Sequence, residues 1–243
     1  MWVGGIKEAI GYQSFISHYE MKDTIGKGKF GRVKCALHRR TGKKVAVKIL
    51  NKSKMDKEDY ELYKREVEIL RVCAHPHIIR LLDVFENEEY IYIVMEHLAG
   101  GSLLSYFKHH QFSLPESRVR ELTHQVATAM FYLHSFGIAH RDMKPDNLMM
   151  TSDEETAPVK IIDFGLSKII GPSESTVDPF GTIPYAAPEI ILRHPYDMSV
   201  DIWSFGITLY FLLSGAHPFE APTQQELLKK IVKEPPPFTS EVW

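Results

Sequence analysis

One short stretch of the chain, His140–Asn147, concentrates side chains that could carry out a chemical reaction. It reads His-Arg-Asp-Met-Lys-Pro-Asp-Asn. Within it, Asp142 could accept a proton from an attacking hydroxyl group. Lys144 could neutralise charge on a migrating phosphoryl group, and Asn147 could hold a divalent metal through its side-chain oxygen. Such chemistry needs further groups from other parts of the chain.

A glycine-rich segment has the spacing of a loop that covers phosphates. At Gly26, Gly28 and Gly31 the backbone N–H groups could approach phosphate oxygens closely, because glycine has no side chain. Dinucleotide-binding folds share this spacing, but they need a helix directly after the glycines. Residues Arg32–His38 read as a strand instead, which favours a hairpin. A Walker A loop is excluded because no Gly-Lys-Ser/Thr closes the segment.

Lys48 lies inside the otherwise apolar strand Val45–Leu50. A buried ammonium group needs an anion. Because the strand follows a candidate phosphate loop, phosphate oxygens are one predicted partner. Glu66 on the next helix is the predicted carboxylate partner, and Glu68 is the competing candidate.

Two further carboxylates stand at the ends of apolar segments. Asp163 follows the strand Val159–Ile162 and precedes a Phe-Gly pair, which suits a metal ligand beside a segment that moves. Asp201 opens the apolar helix Ser199–Ser214. It is either a carboxylate that favours the helix N-terminus or a buried brace for the backbone of the loop around Asp142.

The predicted elements change character at Gly100-Gly101, from mainly strands to mainly helices. This order predicts an α+β fold with two lobes. The strands predicted before that point are Tyr19–Gly26, Arg32–His38, Val45–Leu50, Ile78–Phe85 and Tyr90–Met95, with one helix at Glu58–Arg71. The helices predicted after it are Ser102–His110, Glu116–Phe136, Ser199–Ser214 and Thr223–Lys233, with short strands at Leu148–Met150 and Val159–Ile162.

The composition is that of an ordinary globular protein. The 243 residues carry a formal net charge of −2, so no nucleic-acid partner is expected. The most apolar run, Ile202–Leu213, is too short to span a bilayer. The start of the chain lacks the charged leader of a signal peptide, and its two cysteines fit a reducing compartment. A cytoplasmic or nuclear location is therefore expected.

Five motifs, in this order, resemble the signature set of the eukaryotic protein kinases. They are Gly26–Val33, Val45–Lys48, His140–Asn147, Asp163–Gly165 and Ala187–Glu189. The resemblance covers about residues 18–238. Lys144 and the Gly181-Thr182 pair resemble the serine/threonine class. Trp203–Gly206 and Leu213–Phe219 look most like the calcium/calmodulin-dependent and AMP-activated kinases.

The resemblance implies a bilobal kinase fold over residues 18–243, with a β-rich N-lobe at 18–98 and an α-rich C-lobe at 99–243 that looks truncated. It implies transfer of the γ-phosphate of ATP to serine or threonine hydroxyls of protein substrates, with Mg²⁺. Asp142 would be the base, Lys144 would stabilise the phosphoryl group, Asn147 and Asp163 would hold the metal, and Lys48, braced by Glu66, would hold the phosphates. The implied nucleotide-binding residues are Ile25, Gly26, Lys27, Gly28, Gly31, Val33, Ala46, Lys48, Met95, Glu96, Leu98 and Leu148.

The resemblance also predicts control by phosphorylation. Kinases with an arginine at the position of Arg141 usually need it neutralised by a phosphorylated activation segment. An upstream activating kinase is therefore expected. The candidate acceptors are Ser173, Ser175 and Thr176, and the hypothesis is that phosphate near Thr176 pairs with Arg141. Thr182 is expected to contact His140–Asn147, called the catalytic loop below, instead of acting as the phosphorylation site.

Three features depart from the family pattern or lie outside it. Ser102 replaces the glutamate that many relatives use to bind an upstream arginine of the substrate, which leaves Asp146 as the acidic candidate. Residues 1–17 are an extension, and Trp2–Ile10 resembles the last helix of a pleckstrin-homology domain. A membrane partner is expected only if a lipid-binding domain of this kind precedes these residues in the full protein. The arginine that pairs with the counterpart of Glu189 is missing before Trp243, so a fragment or a catalytically impaired kinase-like scaffold is the alternative.

Overall fold

A computed structural model describes residues 14–28, 31–171, 174–178, 180–239 and 243 of the chain. The chain divides into two compact units. The first contains Met1–Val67 and Arg80–His97, and the second contains Glu68–Ile79 and Leu98–Trp243. The helix expected at Trp2–Ile10 lies outside the described residues.

The first unit is built on an antiparallel sheet of five strands in the order β1-β2-β3-β5-β4. The strands are β1 (Tyr19–Gly28), β2 (Gly31–His38), β3 (Lys44–Asn51), β4 (Leu81–Glu86) and β5 (Tyr90–Glu96). A short helix, α1 (Phe15–His18), precedes the sheet, and helix α2 (Lys57–Val72) follows β3 and continues into the second unit. The β-rich first half predicted from the sequence is confirmed.

Each face of this sheet has its own apolar core, as expected from the two-residue period of a strand. One face carries Phe15, Tyr19, Ala36, Val45, Val47 and Val94. The other face carries Leu50, Ile91 and Ile93 and packs against Tyr63 and Val67 of α2. Helix α2 is thereby held against the sheet by its apolar side.

Helix α2 begins with a reciprocal capping arrangement. The backbone N–H of Asp59 donates to Asp56 Oδ1 at 2.8 Å, and the N–H of Asp56 donates to Asp59 Oδ2 at 3.3 Å. Two otherwise unpaired donors at the helix start are satisfied in this way. Acidic residues in the first turn and Arg71 in the last turn also suit the helix dipole.

The second unit is mainly helical. Its helices are α3 (Leu103–His109), α4 (Glu116–Ser135), α5 (Pro188–Ile191), α6 (Ser199–Ser214) and α7 (Gln224–Lys233). Two small antiparallel pairs of strands accompany them, β6 (Ile138–Ala139) with β9 (Lys168–Ile169) and β7 (Leu148–Met150) with β8 (Val159–Ile161). The predicted α+β class is confirmed.

Helices α4 and α6 form the centre of the second unit. Helix α4 buries a stripe at helical spacing that includes Val119, Leu122, Val126, Met130 and Leu133. Helix α6 ends at Gly215, whose φ of +76° is the left-handed conformation that favours glycine after a helix. Among the described residues, no helix combines the length and the apolar character needed to cross a bilayer.

The strand predicted at Ile78–Phe85 was wrong at its start. Strand β4 begins at Leu81. In the second unit, Ile78 forms a single parallel bridge with Ile161, and the N–H of Ile79 donates to the carbonyl of Ile161 at 2.9 Å. These apolar residues are therefore used to attach the segment after α2 to the second unit.

Candidate active site

The glycine-rich segment forms the end of the β1–β2 hairpin, so a strand follows it and a dinucleotide-binding turn is excluded. Gly26 pairs with Val33, and Gly28 pairs with Gly31. A Cβ atom at Gly31 would lie 1.7 Å from the carbonyl oxygen of Ile49 on β3, which no side chain can do. The hairpin backbone therefore lies directly on the neighbouring strand.

The remaining nucleotide candidates of the first unit lie on or beside this hairpin and on β3 and β5. Val33 pairs with Lys48 across β2 and β3, and Ala46 pairs with Met95 across β3 and β5. Glu96 ends β5, and its side chain accepts a hydrogen bond from the N–H of Arg80 at 2.8 Å. Ile25 and Lys27 are both exposed on β1.

Two predicted nucleotide-binding residues belong to the second unit. Leu148 starts β7 and is fully buried, and Leu98 is 7% exposed. The sequence assigns both to contacts with the base, and those contacts stay predictions.

Lys48 and Glu66 form a close ion pair in the first unit. Lys48 Nζ donates to Glu66 Oε1 at 2.7 Å and to Oε2 at 2.8 Å. Glu66 is only 4% exposed, whereas Glu68 is exposed. The helix places Glu66 towards the sheet because Val67 and Tyr63 turn that side of α2 into the core. The pair holds the Lys48 ammonium group at a fixed point on β3.

We expect Glu66→Gln to lower kcat/KM for ATP about tenfold, because an amide keeps the shape of the carboxylate but removes the charge that holds Lys48. Initial rates at varied ATP concentration measure the effect. The matched control is Glu68→Gln, two residues further along α2 and exposed. Equal losses in the two variants would contradict a specific role for the Lys48–Glu66 pair.

In the second unit, the carboxylate of Asp142 accepts hydrogen bonds from three side chains. Lys144 Nζ donates to Oδ2 at 2.7 Å, and Asn147 Nδ2 donates to the same oxygen at 2.8 Å. The Thr182 hydroxyl donates to Oδ1 at 2.8 Å and accepts from Lys144 Nζ at 2.6 Å. Thr182 thus contacts the catalytic loop, as the sequence predicts.

These bonds leave defined capacity for further ligands. A carboxylate offers about four acceptor positions, so one at Asp142 Oδ1 is available beyond the three used. An ammonium group has about three donors, and Lys144 spends two of them on Asp142 and Thr182. Both N–H bonds of Asn147 go to Asp142, one to its carbonyl at 2.8 Å, which keeps the amide oxygen outside these contacts. That oxygen is of the type that binds Mg²⁺.

Asp201 braces the backbone just before Asp142. Its Oδ2 accepts from the N–H of His140 at 2.8 Å, and its Oδ1 accepts from the N–H of Arg141 at 2.7 Å. His134 Nε2 lies 2.9 Å from Oδ2. Arg141 has a φ of +69°, a strained conformation for a residue with a side chain. Of the two interpretations of Asp201, the bonds to the loop favour the brace, and its side chain is buried.

Asp163 also has a left-handed backbone, with a φ of +46°. Its Oδ1 accepts from the N–H of Gly165 at 3.3 Å. The next residue, Phe164, is buried and meets the ring of His140 edge-on, with the ring centroids 5.1 Å apart. The segment that carries Asp163 is therefore attached to the first residue of the catalytic loop.

Four residues at this site were not selected from the sequence. His134 bonds Asp201, and Lys168, Asp178 and Tyr196 surround the side chains of Thr176 and Arg141. Asp178 lies in an irregular segment rich in turn-forming residues, and Lys168 lies in the two-residue strand β9, which is too short to show a period. The available signal was an acidic residue close to the candidate phosphorylation sites.

The sequence profile described as the protein kinase domain matches residues 19–241. A probable myosin light chain kinase of Dictyostelium discoideum is 39% identical over 93% of the chain and 57% of its own length. The probable serine/threonine-protein kinase MARK-A of the same organism is 40% identical over 90% of the chain and 21% of its own length. An Arabidopsis thaliana protein, the SNF1-related protein kinase catalytic subunit alpha KIN12, is 41% identical over 90% of the chain and 44% of its own length.

The chain spans roughly a fifth to just over half of these relatives, and the matched part is the part that contains the site. The profile match includes all of the predicted catalytic residues. The chain therefore belongs to the protein kinase family and, like these relatives, to its serine/threonine class.

Proposed function

We propose that this chain transfers the γ-phosphate of ATP to serine and threonine hydroxyls of proteins. The observation that carries the proposal is the arrangement around Asp142. Three donors hold its carboxylate in place, and one acceptor position of that carboxylate is left for an incoming hydroxyl. This is the placement that a general base requires.

Each unit contributes its own part of the chemistry. In the second unit, Asp142 orients the substrate hydroxyl and takes its proton, and Lys144 directs its remaining N–H at the transferring phosphoryl group. In the first unit, Lys48 meets phosphate oxygens while Glu66 holds it in place. Asn147 and Asp163 would hold Mg²⁺ through their side-chain oxygens, and the metal would neutralise negative charge on the phosphates of ATP. Catalysis then rests on positioning and charge stabilisation.

We propose that preferred substrates carry a basic residue near the acceptor. Asp146 is exposed in the catalytic loop, as the middle residue of the 3₁₀ turn Pro145–Asn147. Burial raises the pKa of the Tyr185 phenol, and the charges of Asp146 and Asp142 raise it further. The contribution of these two charges indicates a negative potential at this end of the loop, which favours a cationic side chain of the substrate.

The test is phosphate transfer from Mg·ATP to three peptides that differ only in the acceptor, which is serine, threonine or tyrosine. We expect phosphorylation of the serine and threonine peptides, at rates that fall when basic residues near the acceptor are replaced. Phosphorylation of the tyrosine peptide alone would contradict the assignment. Binding of ATP without transfer to any peptide would support the scaffold alternative.

Several expectations from the sequence remain predictions. They include an upstream activating kinase, the base contacts of Val33, Ala46, Met95, Glu96, Leu98 and Leu148, and a cytoplasmic or nuclear location. Of the three candidate phosphorylation sites, Ser173 lies outside the described residues, Ser175 is exposed and Thr176 is 7% exposed.

A further inference from the structure

The side chain of Arg141, next to the proposed base, is completely buried. Its Nε donates to the carbonyl of Leu166 at 2.6 Å, and its Nη1 donates to the hydroxyl of Tyr196 at 3.1 Å. The guanidinium lies 4.2 Å from the centre of the Phe180 ring. Within the described part of the chain, Nη2 has no hydrogen-bond partner. Its hydrogen-bond partners are neutral, so the buried cation still needs an anion.

Asp178 is the anion that the structure provides. Its Oδ2 lies 3.8 Å from Arg141 Nη1 and accepts from Lys168 Nζ at 2.8 Å. The hydroxyl of Thr176 joins the group, because it accepts from Lys168 Nζ at 2.7 Å and donates to Asp178 Oδ2 at 3.0 Å. One carboxylate thus lies beside two cations, Lys168 of the activation segment and Arg141 of the catalytic loop.

The backbone around Asp178 is also held in place. The Tyr196 hydroxyl, which accepts from Arg141, donates to the carbonyl of Asp178 at 2.7 Å. Thr176 and Tyr196 exchange two backbone hydrogen bonds, at 3.0 and 2.9 Å. The hydrogen bond from Lys168 lowers the pKa of the Asp178 carboxyl, and the bond from Thr176 lowers it further. Asp178 is therefore charged at neutral pH and fixed beside Arg141.

We propose that Asp178 is a positioning residue that supplies the negative charge needed by Arg141, so that the catalytic loop is aligned without phosphorylation of the activation segment. The inference rests on the proposed kinase function. It replaces the hypothesis that phosphate near Thr176 pairs with Arg141. The hydroxyl of Thr176 is buried and already bonded on both sides, so it is a structural link between Lys168 and Asp178.

The test compares variants that have first been treated with a phosphatase and shown by mass spectrometry to carry no phosphate. We expect the wild-type chain to be active in that state. Asp178→Asn should lower kcat about tenfold, as expected for loss of a contact between charged groups. Asp178→Glu should restore at least half of the activity, because it keeps the charge. KM for ATP should change little, whereas the midpoint of thermal unfolding should fall in Asp178→Asn and not in Asp178→Glu, because the amide leaves the buried Arg141 guanidinium without an anion.

The matched control is Glu174→Gln, an exposed acidic residue of the same segment whose side chain accepts from the N–H of Gly171. It should leave kcat unchanged. An inactive phosphate-free wild type that gains activity when the segment is phosphorylated would overturn the proposal and leave the kinase function intact. Equal kcat in Asp178→Asn and the wild type would overturn it as well.

A second measurement separates this proposal from the proposed function. Amide hydrogen exchange at Thr176 and Tyr196 reports the two backbone bonds beside Asp178 and does not depend on phosphate transfer. We expect faster exchange in Asp178→Asn than in Asp178→Glu or Glu174→Gln. If no form of the chain transfers phosphate, the proposed kinase function is rejected. Unchanged amide exchange in Asp178→Asn would reject the role of Asp178, whether or not the chain transfers phosphate.

Discussion

Asp142→Asn is expected to lower kcat for peptide phosphorylation by about 10²- to 10⁴-fold, the usual contribution of a general base. The amide has nearly the shape of the carboxylate but cannot take a proton from the substrate hydroxyl. It also replaces one acceptor by a donor that faces the hydrogen bonds from Lys144, Asn147 or Thr182. The measurement is single-turnover phosphate transfer at saturating ATP, so that binding does not limit the rate.

Asp153→Asn is the control for this variant, because Asp153 is an exposed acidic residue in the turn between β7 and β8. It should keep the wild-type rate. Asp142→Asn purified in the same way as the wild type also measures any contaminating kinase, because activity that does not depend on Asp142 would remain in that preparation. A kcat within threefold of the wild type would rule out Asp142 as the base.

Asp201→Asn is expected to destabilise the second unit by about 3 kcal/mol, because a buried carboxylate with three polar neighbours is replaced by a group with a single acceptor oxygen. If the amide nitrogen takes the place of Oδ1, it faces the N–H of Arg141. If it takes the place of Oδ2, it faces the N–H of His140 and the ring of His134. For a chain of this size we expect the midpoint of thermal unfolding to fall by roughly 6–12 °C. Activity should fall too, since the strained backbone of Arg141 loses its support.

A neighbouring aspartate provides a close control for Asp201→Asn. Asp197 is exposed and accepts from the N–H of Ser199 at 2.8 Å at the start of α6. The amide oxygen of asparagine can accept the same bond, so Asp197→Asn should leave the unfolding midpoint nearly unchanged. If the two variants unfold at the same temperature, the bonds from Asp201 to the loop contribute little to stability.

Groups that are close in the sequence were predictable at this site. Asp142, Lys144 and Asn147 share one loop, so their chemistry could be inferred from residue type alone. The helical face of α2 correctly selected Glu66 over Glu68 as the residue that lies beside Lys48. All five strands predicted for the first half occur, with β4 starting at Leu81 instead of Ile78.

Contacts between distant segments were not predictable in the same way. No pattern in the sequence connects His134 with Asp201, which lie 67 residues apart and meet because α4 and α6 pack together. Asp178 reaches Arg141 through an irregular segment that has no period from which to infer a direction. The resemblance to the protein kinases implied that Arg141 needs an anion, but only the packing shows which anion lies beside it.

Helix α6 is apolar in composition, but one of its sides is not buried. Ile202 is 58% exposed, whereas Asp201 beside it is fully buried. Composition reports how much apolar surface a helix has. It does not report which side meets another element, and here the polar residue is the one that is needed inside.

The bonds from Asp201 also set an order of events during synthesis. Asp201 lies 61 residues after His140, so the catalytic loop leaves the ribosome well before the residue that holds it. Until α6 has been made and has packed on α4, the backbone at Arg141 has no reason to adopt its strained conformation. The nascent chain therefore passes through a stage in which Asp142, Lys144 and Asn147 are all present but not yet arranged for catalysis. The arrangement around Asp142 is therefore completed late, with the folding of the second unit.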